Sequence, residues 1–140
     1  MYAKSVDEAL EQVRKEYYDR FRFRILKAKD GETEAELEIL ETDRNGLGVP
    51  YGGVLFNMMD LLSGAAIISS GSIGPTISGS VDFVNGLRSD QSLIRCRAQV
   101  MEKNGDIGYT DAEITDDEGR IIARAGFTFY TSQRLIKNTD

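Results

Sequence analysis

The chain has 140 residues, of which 41% are hydrophobic and 29% are charged, and these values fit one globular domain with a usable core. The formal net charge is -6 and the basic residues are scattered, which argues against nucleic-acid binding because that function needs a clustered Lys and Arg face. A single cysteine excludes an internal disulfide framework, and the first residues lack the basic and then apolar pattern of a signal peptide, so we expect a cytoplasmic protein.

The first predicted element is an amphipathic helix over residues 6–18. Ser5 and Glu8 have the spacing of a capping box, in which each side chain accepts a hydrogen bond from the other residue's backbone N–H group. One apolar stripe predicts that a single face of this helix is buried. The stripe consists of Val6, Leu10, Val13 and Tyr17.

From residue 21 onward, runs of alternating apolar and charged residues have the period of β-strands. The predicted strands cover residues 21–26, 34–40, 76–84, 92–101, 109–115 and 120–130. The first two are joined by a hairpin turn at Asp30 and Gly31. The last strand places Ile121, Ala123, Ala125, Phe127 and Phe129 on one face. Residues 134–140 are expected to be frayed.

The central segment, residues 45–60, reads NGLGVPYGGVLFNMMD: a polar loop, a glycine pair and an apolar helix that carries one carboxylate, Asp60. The apolar run over residues 54–68 contains polar residues and is shorter than the ~20 residues that a bilayer span needs, so we expect a core helix. A helix that is apolar nearly all round needs a sheet wrapped about it. The sequence therefore predicts an α+β fold, a curved antiparallel β-sheet around a long central α-helix, with an N-terminal helix, in one domain over residues 1–140.

The sequence contains no histidine, which excludes Ser-His-Asp and Cys-His triads and imidazole metal sites. The single cysteine, Cys96, lies on an alternating strand and is predicted to be a small core residue. The acidic residues lack metal-ligand spacing, and no dinucleotide or Walker-type glycine motif occurs. We therefore expect no bound metal and no cofactor.

Gly52 and Gly53 lie at the predicted start of the central helix, where backbone N–H groups have no partner within the helix and the helix dipole is positive. A carbonyl oxygen placed there would gain donors as it becomes an oxyanion, and glycine allows a close approach. Two glycines could equally serve only as a tight entry into a buried helix. Asp60 adds a second observation, since an isolated carboxylate on an apolar helix usually has a partner or a chemical role.

Gly52 and Asp60 are eight residues apart, which corresponds to about 12 Å along a helix, so one carbonyl group cannot contact both. If both act on one substrate, the Gly52 amide must come from one subunit and Asp60 from another, with two central helices side by side about a two-fold axis. We therefore expect at least a homodimer.

Asn45, the Gly52-Gly53 pair, Asp60 and the strand TISGSVDF that begins at Thr76 resemble the hot-dog-fold acyl-CoA thioesterases of the phenylacetyl-CoA (PaaI-like) type. The resemblance covers most of the chain and implies hydrolysis of an acyl-CoA thioester. It implies that Asn45 and Gly52 lie beside the thioester carbonyl and that Asp60 is the general base or nucleophile. Thr76 would orient the attacking water. The resemblance also implies homodimers, often paired into homotetramers, with each active site built across a subunit boundary.

One position departs from the family pattern, because Tyr51 stands where the family carries a histidine before the two glycines. The Tyr51 hydroxyl group can donate a hydrogen bond to the substrate, or its ring can simply pack at the subunit interface. Hydrolysis without histidine is feasible, since a thiol with a pKa of about 8.5 leaves without a strong general acid. The alternative function is a catalytically silent hot-dog protein that binds acyl-CoA or another apolar ligand. A purely structural oligomer would bind no acyl-CoA.

Separate residues are expected to contact the acyl group and the coenzyme A portion of the substrate. The acyl group is expected to lie beside Tyr51 and Gly53 and along the apolar helix. The candidate walls are Leu55, Phe56, Met58, Met59 and Leu62. The candidate contacts for the phosphates of coenzyme A are Arg88, Arg95, Arg97, Lys103 and Arg134. We expect neither a nucleic-acid nor a membrane partner.

Overall fold

The computed structural model describes residues 4–137. Helix α1 (Val6–Phe21) begins after Ser5, whose side-chain oxygen accepts a hydrogen bond from the Glu8 N–H group at 3.3 Å, and its buried face includes the predicted stripe. The helix continues three residues beyond its predicted end. It stops at Arg22, which adopts a left-handed backbone conformation (φ 64) and donates its N–H group to carbonyl groups of the last turn.

Across residues 4–137, the strands form two antiparallel sheets, a six-stranded main sheet and a two-stranded sheet. They are β1 (Arg24–Lys29), β2 (Glu32–Glu38), β3 (Ser72–Ile73), β4 (Thr76–Phe83), β5 (Leu93–Asn104), β6 (Ile107–Asp116), β7 (Ile121–Tyr130) and β8 (Gln133–Arg134). Within the described residues, the main sheet has the order β1-β2-β5-β6-β7-β4, so β1 and β4 are its edges. The predicted hairpin turn is present at Asp30 (φ 50) and Gly31 (φ 85), where two left-handed residues match the twist of the paired strands.

Helix α2 (Gly52–Ser69) packs against the sheet and contributes much of the core. Its fully buried apolar side chains include Met58, Met59 and Leu62. The curved antiparallel sheet, the long central helix and the N-terminal helix confirm the predicted fold. By length and hydropathy α2 could cross a membrane, but 56% of it is buried inside the protein, and the core helix of a soluble protein meets the same criteria.

Strand β7 differs from the predicted pattern at its start. Ile114 pairs with Ala123, but the next residue of β6, Thr115, pairs with Ile121, so Ile122 is an extra residue in the ladder. This bulge turns Ile122 into the core, where it is fully buried, and leaves Ile121 half-buried. The prediction for Ile121 was therefore wrong, whereas Ala123, Ala125, Phe127 and Phe129 are buried on one face as predicted.

The C-terminal segment is better ordered than predicted. Strand β8 pairs with β3, Leu135 is buried, and its N–H group donates to the Gly71 carbonyl at 2.9 Å. The expectation of fraying is wrong for residues 134–137, because this segment closes over the end of α2. Residues 138–140 lie outside the described residues.

The outer face of the sheet carries a row of alternating charges. One residue from each strand of the main sheet stands in register with its neighbours, and the signs alternate across the whole width. From edge to edge the row reads Lys27, Glu34, Arg97, Glu113, Arg124 and Asp82. Opposite charges on neighbouring strands attract one another, so this row supports the sheet laterally.

Candidate active site

Asp60 and Thr76 are joined by a direct hydrogen bond. Asp60 is a half-buried residue of α2, and Thr76 is the exposed first residue of β4. The Thr76 hydroxyl group donates to Asp60 Oδ1 at 2.7 Å. Among residues 4–137, no Lys or Arg nitrogen lies within 4.0 Å of the Asp60 carboxylate, and its second oxygen has no partner there. The carboxylate therefore keeps one oxygen available for a water molecule or a substrate.

The start of α2 presents unpaired backbone donors. Tyr51 precedes the helix without a side-chain cap, and the first helical N–H group with an acceptor is that of Val54, which donates to the Tyr51 carbonyl at 3.1 Å. The N–H groups of Gly52 and Gly53 have no acceptor in the described part of the chain. They lie at the positive end of the helix dipole, where an anionic oxygen is stabilised.

The two glycines differ in their surroundings. A Cβ on Gly52 would lie 3.0 Å from Cζ of Phe83, so the Phe83 ring covers this residue. A Cβ on Gly53 would meet no atom within 4 Å. Sequence analysis missed Phe83, which is 55% exposed at the end of the edge strand β4; the available signal was a large aromatic residue in the strand that follows the central helix.

Asn45 uses half of its side-chain amide to shape the loop before α2. Its Oδ1 accepts a hydrogen bond from the Leu47 N–H group at 2.9 Å, and its own N–H group donates to the Val49 carbonyl at 2.8 Å. Its Nδ2 group has no acceptor within residues 4–137. Asn45 can therefore donate to a ligand only through Nδ2.

The protomer brings Asp60 and Thr76 together but keeps them away from Gly52. Both Gly52 and Asp60 belong to the continuous helix α2, in which eight residues span about 12 Å. Strand β4 lies beside both positions, with Thr76 at Asp60 and Phe83 at Gly52. The predicted residues therefore form two separate groups at the two ends of β4.

Most of the predicted acyl walls are core residues in this protomer. Leu55 is 4% exposed and Met59 is fully buried, so neither presents surface to a ligand. Phe56 is half-buried, with its ring edge against Phe127 at a centroid distance of 5.3 Å. A cavity of about 330 Å³ opens beside Gly53. Its apolar lining comes from the end of α1, the segment between α1 and β1, β2 and the first turn of α2, namely Phe21, Phe23, Leu37 and Val54.

Four of the five predicted phosphate contacts are engaged in ion pairs, and three of these four lie away from Ser72. Arg95 and Arg97 face Glu34 on the outer sheet face, at 3.5 and 4.0 Å. Arg88 pairs with Glu118 at 3.0 Å and with a second carboxylate in its own loop. A groove of about 760 Å³ on the outer sheet face includes Arg97 but none of the predicted catalytic residues.

The other two predicted phosphate contacts, Lys103 and Arg134, converge on one hydroxyl group. Lys103 Nζ and Arg134 Nη1 donate to Ser72 Oγ at 2.9 and 3.0 Å. Burial lowers the pKa of Lys103, and the neighbouring cations Arg134 and Lys137 lower that pKa further. Within residues 4–137 the one carboxylate close to these cations is Asp106, at 4.0 Å from Arg134. We call Lys103, Arg134 and Lys137 the basic cluster.

Cys96 is fully buried in β5, and burial followed by the nearby Glu113 charge raises its pKa far above the usual range. A thiol in this environment stays protonated and is not a nucleophile. Within residues 4–137, no group of three or more His, Cys, Asp or Glu residues is arranged to hold a metal ion.

Comparison with known proteins identifies the family. Residues 47–123, more than half of the chain, match the family model described as "Thioesterase superfamily". The chain belongs to the thioesterase superfamily. The match begins in the loop before α2 and includes α2, β4 and the strands β5 and β6, so it contains the Asp60–Thr76 pair.

Solved thioesterase structures share this fold. A hypothetical thioesterase with coenzyme A from Streptococcus pneumoniae has a TM-score of 0.79 at 23% identity, covering 90% of this chain and 96% of that one. The PaaI protein of the Escherichia coli phenylacetic acid degradation operon has a TM-score of 0.80 at 18% identity, covering 86% and 92%. A relative from Archaeoglobus fulgidus, named "Putative esterase", is 26% identical over 76% of this chain and 69% of its own length. This thioesterase-superfamily protein therefore has the hot-dog fold.

Two further structures are mutants of a hypothetical thioesterase from the same Streptococcus pneumoniae strain, one with an Asp replaced by Ala and one with a Thr replaced by Ala. Each is 25% identical to this chain, with a TM-score of 0.76 over 80% of this chain and 92% or 91% of the mutant chain. The two replaced residues are 16 positions apart, the same separation as Asp60 and Thr76.

Proposed function

We propose that this hot-dog protein hydrolyses acyl-CoA thioesters to a free acid and coenzyme A. The observation that carries the proposal is the hydrogen bond from Thr76 to Asp60, which joins a carboxylate and a hydroxyl group beside a surface open to solvent. The equal spacing of the Asp and Thr that were replaced in the pneumococcal thioesterase supports the same pair here. That a related fold holds coenzyme A supports the choice of thioester.

The proposed active site is composite and needs a second copy of the chain. Within one protomer, Gly52 and Asp60 are too far apart to contact one carbonyl group. Strand β4 is an edge strand that pairs only with β7 in the described sheet, and it exposes Ile77 and Phe83, each by 55%. Exposed apolar edge strands favour pairing with another chain, so a two-fold partner along β4 and α2 would place its own Asp60 near this Gly52.

In the proposed reaction, the thioester carbonyl oxygen accepts a hydrogen bond from the Gly52 N–H group, with Asn45 Nδ2 as a second donor. A water molecule held by the Thr76 hydroxyl group transfers a proton to Asp60 as its oxygen attacks the carbonyl carbon. Collapse of the tetrahedral oxyanion breaks the C–S bond and releases the thiolate, which leaves without a strong acid. Asp60 could instead attack the carbonyl and form an anhydride that water opens, and both routes need the same residues.

The decisive experiment is thiol release from a panel of acyl-CoA esters, with the wild-type protein beside Asp60→Asn. We expect turnover in the wild type and a loss on the order of 10²-fold or more in Asp60→Asn, the scale of removing a positioned base. Two substitutions at Thr76 test whether the hydroxyl group is needed. Thr76→Ser keeps the hydroxyl group and should retain most turnover. Thr76→Val removes it and should lower the rate about tenfold, the scale of one hydrogen bond. Turnover that is equal in wild type and Asp60→Asn would contradict the proposal.

A second candidate is a catalytically silent protein that binds acyl-CoA. Tyr51 favours it, because this residue stands in the family's histidine position, is 51% exposed, and has no side-chain partner in the described residues. This candidate predicts acyl-CoA binding by calorimetry without turnover in either the wild type or Asp60→Asn. For both candidate functions we propose that residues 1–140 form a single thioesterase-like domain.

A further inference from the structure

Two loops meet beside the start of α2, and one arginine connects them. The entry loop, residues 44–51, leads into the helix, and the return loop, residues 85–91, follows β4. Arg44 Nη1 donates to the Gly48 carbonyl at 2.7 Å, within the entry loop, and Arg44 Nη2 donates to the Gln91 carbonyl at 2.5 Å, in the return loop. Two longer contacts at 3.5 Å reach further carbonyl groups of the return loop.

Arg44 makes these contacts without a charged partner. No carboxylate lies within 4.0 Å of its guanidinium group in the part of the chain that the structure describes, and the residue is half-buried. A planar guanidinium group with several fixed donors can hold carbonyl groups from two segments in one geometry, which a flexible ammonium group cannot do. The contacts of Arg44 therefore fix the two loops relative to each other.

The two loops also touch directly. A Cβ on Gly86 in the return loop would lie 2.8 Å from Cγ1 of Val49 in the entry loop, so the contact leaves no room for a methyl group. Leu87, the next residue, is 1% exposed and anchors the return loop in the core. The entry loop is thus held against the return loop, which is anchored in the core.

Both loops bear on the proposed oxyanion site. The entry loop carries Asn45 and leads directly to Gly52, and the Tyr51 N–H group donates a hydrogen bond to the Asp43 carbonyl at 2.9 Å. The return loop begins just after Phe83, whose ring covers Gly52. Arg44 lies between the two segments that set the direction of the donors at Asn45 and Gly52.

We propose that Arg44 is a positioning residue for hydrolysis: it acts through the two loops to hold the oxyanion donors in place and does not touch the substrate. This inference rests on the proposed thioesterase activity. A displacement of about 1 Å in a catalytic arrangement can cost on the order of 10²-fold in rate. The rate effect should appear in kcat, because the donors act most strongly on the transition state.

The test compares Arg44→Ala and Arg44→Lys with Arg14→Ala. Arg14 is a matched control, because its Nη1 also donates to a backbone carbonyl, that of Ile25 at 2.9 Å, but on α1 and away from the site. We expect Arg44→Ala to lower kcat at least tenfold with KM within about twofold, Arg44→Lys to recover only part of the loss, and Arg14→Ala to keep wild-type kcat. Circular dichroism and thermal midpoints are measured for each variant.

Gly86→Ala is an independent variant in case Arg44→Ala does not fold. It should disturb the same loop contact through Val49 and lower kcat, whereas Gly46→Ala, at a position with no atom within 4 Å of the added methyl group, should not. A wild-type protein without turnover would overturn this inference together with the proposed function. An active wild type and inactive Asp60→Asn, with Arg44→Ala and Gly86→Ala unaffected or changed only in KM, would overturn this inference alone.

Discussion

The ring of Phe83 covers Gly52, with its Cζ atom 3.0 Å from the place that a side chain on this glycine would occupy. Because of this contact, two substitutions at Gly52 can separate the effect of losing the N–H group from the effect of adding side-chain atoms. Both Gly52→Ala and Gly52→Pro add atoms against Phe83, but only Gly52→Pro removes the N–H group. Proline is tolerated at the first position of a helix, and the backbone of Tyr51 (φ -56, ψ 139) suits a residue before proline.

We expect Gly52→Pro to lower kcat by about 10²-fold or more, the cost of losing one oxyanion donor, and Gly52→Ala to lower it less. Replacing Phe83 by Leu in the Gly52→Ala background should restore part of the activity, because the smaller side chain can move away. Gly46→Ala is the control for an added methyl group, since no atom lies within 4 Å of that position. Equal losses in Gly52→Ala and Gly52→Pro would mean that the N–H group has no role.

A composite site predicts complementation between two inactive variants. In a heterodimer of Asp60→Asn and Gly52→Pro chains, one of the two sites combines an intact Gly52 with an intact Asp60, and the other site carries both changes. We therefore expect about half of the wild-type activity per dimer, since one site of two is complete. The measurement uses coexpressed chains with two different tags and purification over both. An inactive heterodimer would show that Gly52 and Asp60 of the same chain, or neither, take part in one reaction.

The position of the basic cluster predicts that it contacts the phosphates of coenzyme A and so affects KM. Lys103→Met keeps much of the side-chain length and removes the charge, so we expect KM for an acyl-CoA to rise about fivefold, the scale of one exposed ion pair with a phosphate. KM for the corresponding acyl-pantetheine, which lacks the nucleotide, should not change. Arg97→Met is the control, because Arg97 belongs to the charge row on the outer sheet face. Equal changes in KM for both substrates would contradict a phosphate contact at Lys103.

The surroundings of Asp116 predict how the free energy of unfolding depends on pH. Burial of Asp116 raises the pKa of its carboxyl group, but hydrogen bonds from the N–H groups of Arg120 and Glu118, each 2.9 Å from Oδ1, together with those from the side chains of Gln91 and Arg120, outweigh burial and lower the pKa below its ordinary value of 3.8. The folded state therefore binds the proton more weakly than the unfolded chain. The ionised Asp116 carboxylate therefore stabilises the folded state above about pH 3.8, and this contribution is lost as the pH falls through the lower folded-state pKa.

Asp116→Asn keeps an acceptor oxygen but removes the charge. We expect a loss of roughly 1.5–3 kcal/mol in the free energy of unfolding at pH 7, the range for hydrogen bonds to a charged group. The difference from wild type should shrink as the pH falls below about 4. Urea unfolding at several pH values checks this, with Glu102→Gln, at an exposed position of β5, as the control. A difference that stays constant down to pH 2 would exclude a contribution from the charge.

The fold class and most of its elements can be predicted from the sequence, because strand and helix periods are local properties of the chain. The alternation of apolar and charged residues gave the strands, and the Ser5 capping box gave the start of α1. The glycine pair and a carboxylate on an apolar helix were sufficient to select Gly52 and Asp60 as candidates. The absence of histidine excluded triads without any coordinates.

Which side chains meet depends on the folded chain. Thr76 contacts Asp60 across 16 residues because β4 returns along α2, and local spacing cannot give that distance. Burial in the core removed Leu55 and Met59 from the accessible surface, since a helix that is apolar all round does not show which face the sheet covers. Arg44 carried no signal in the sequence at all, because its partners are backbone carbonyl groups, which every residue has and only the fold can bring together.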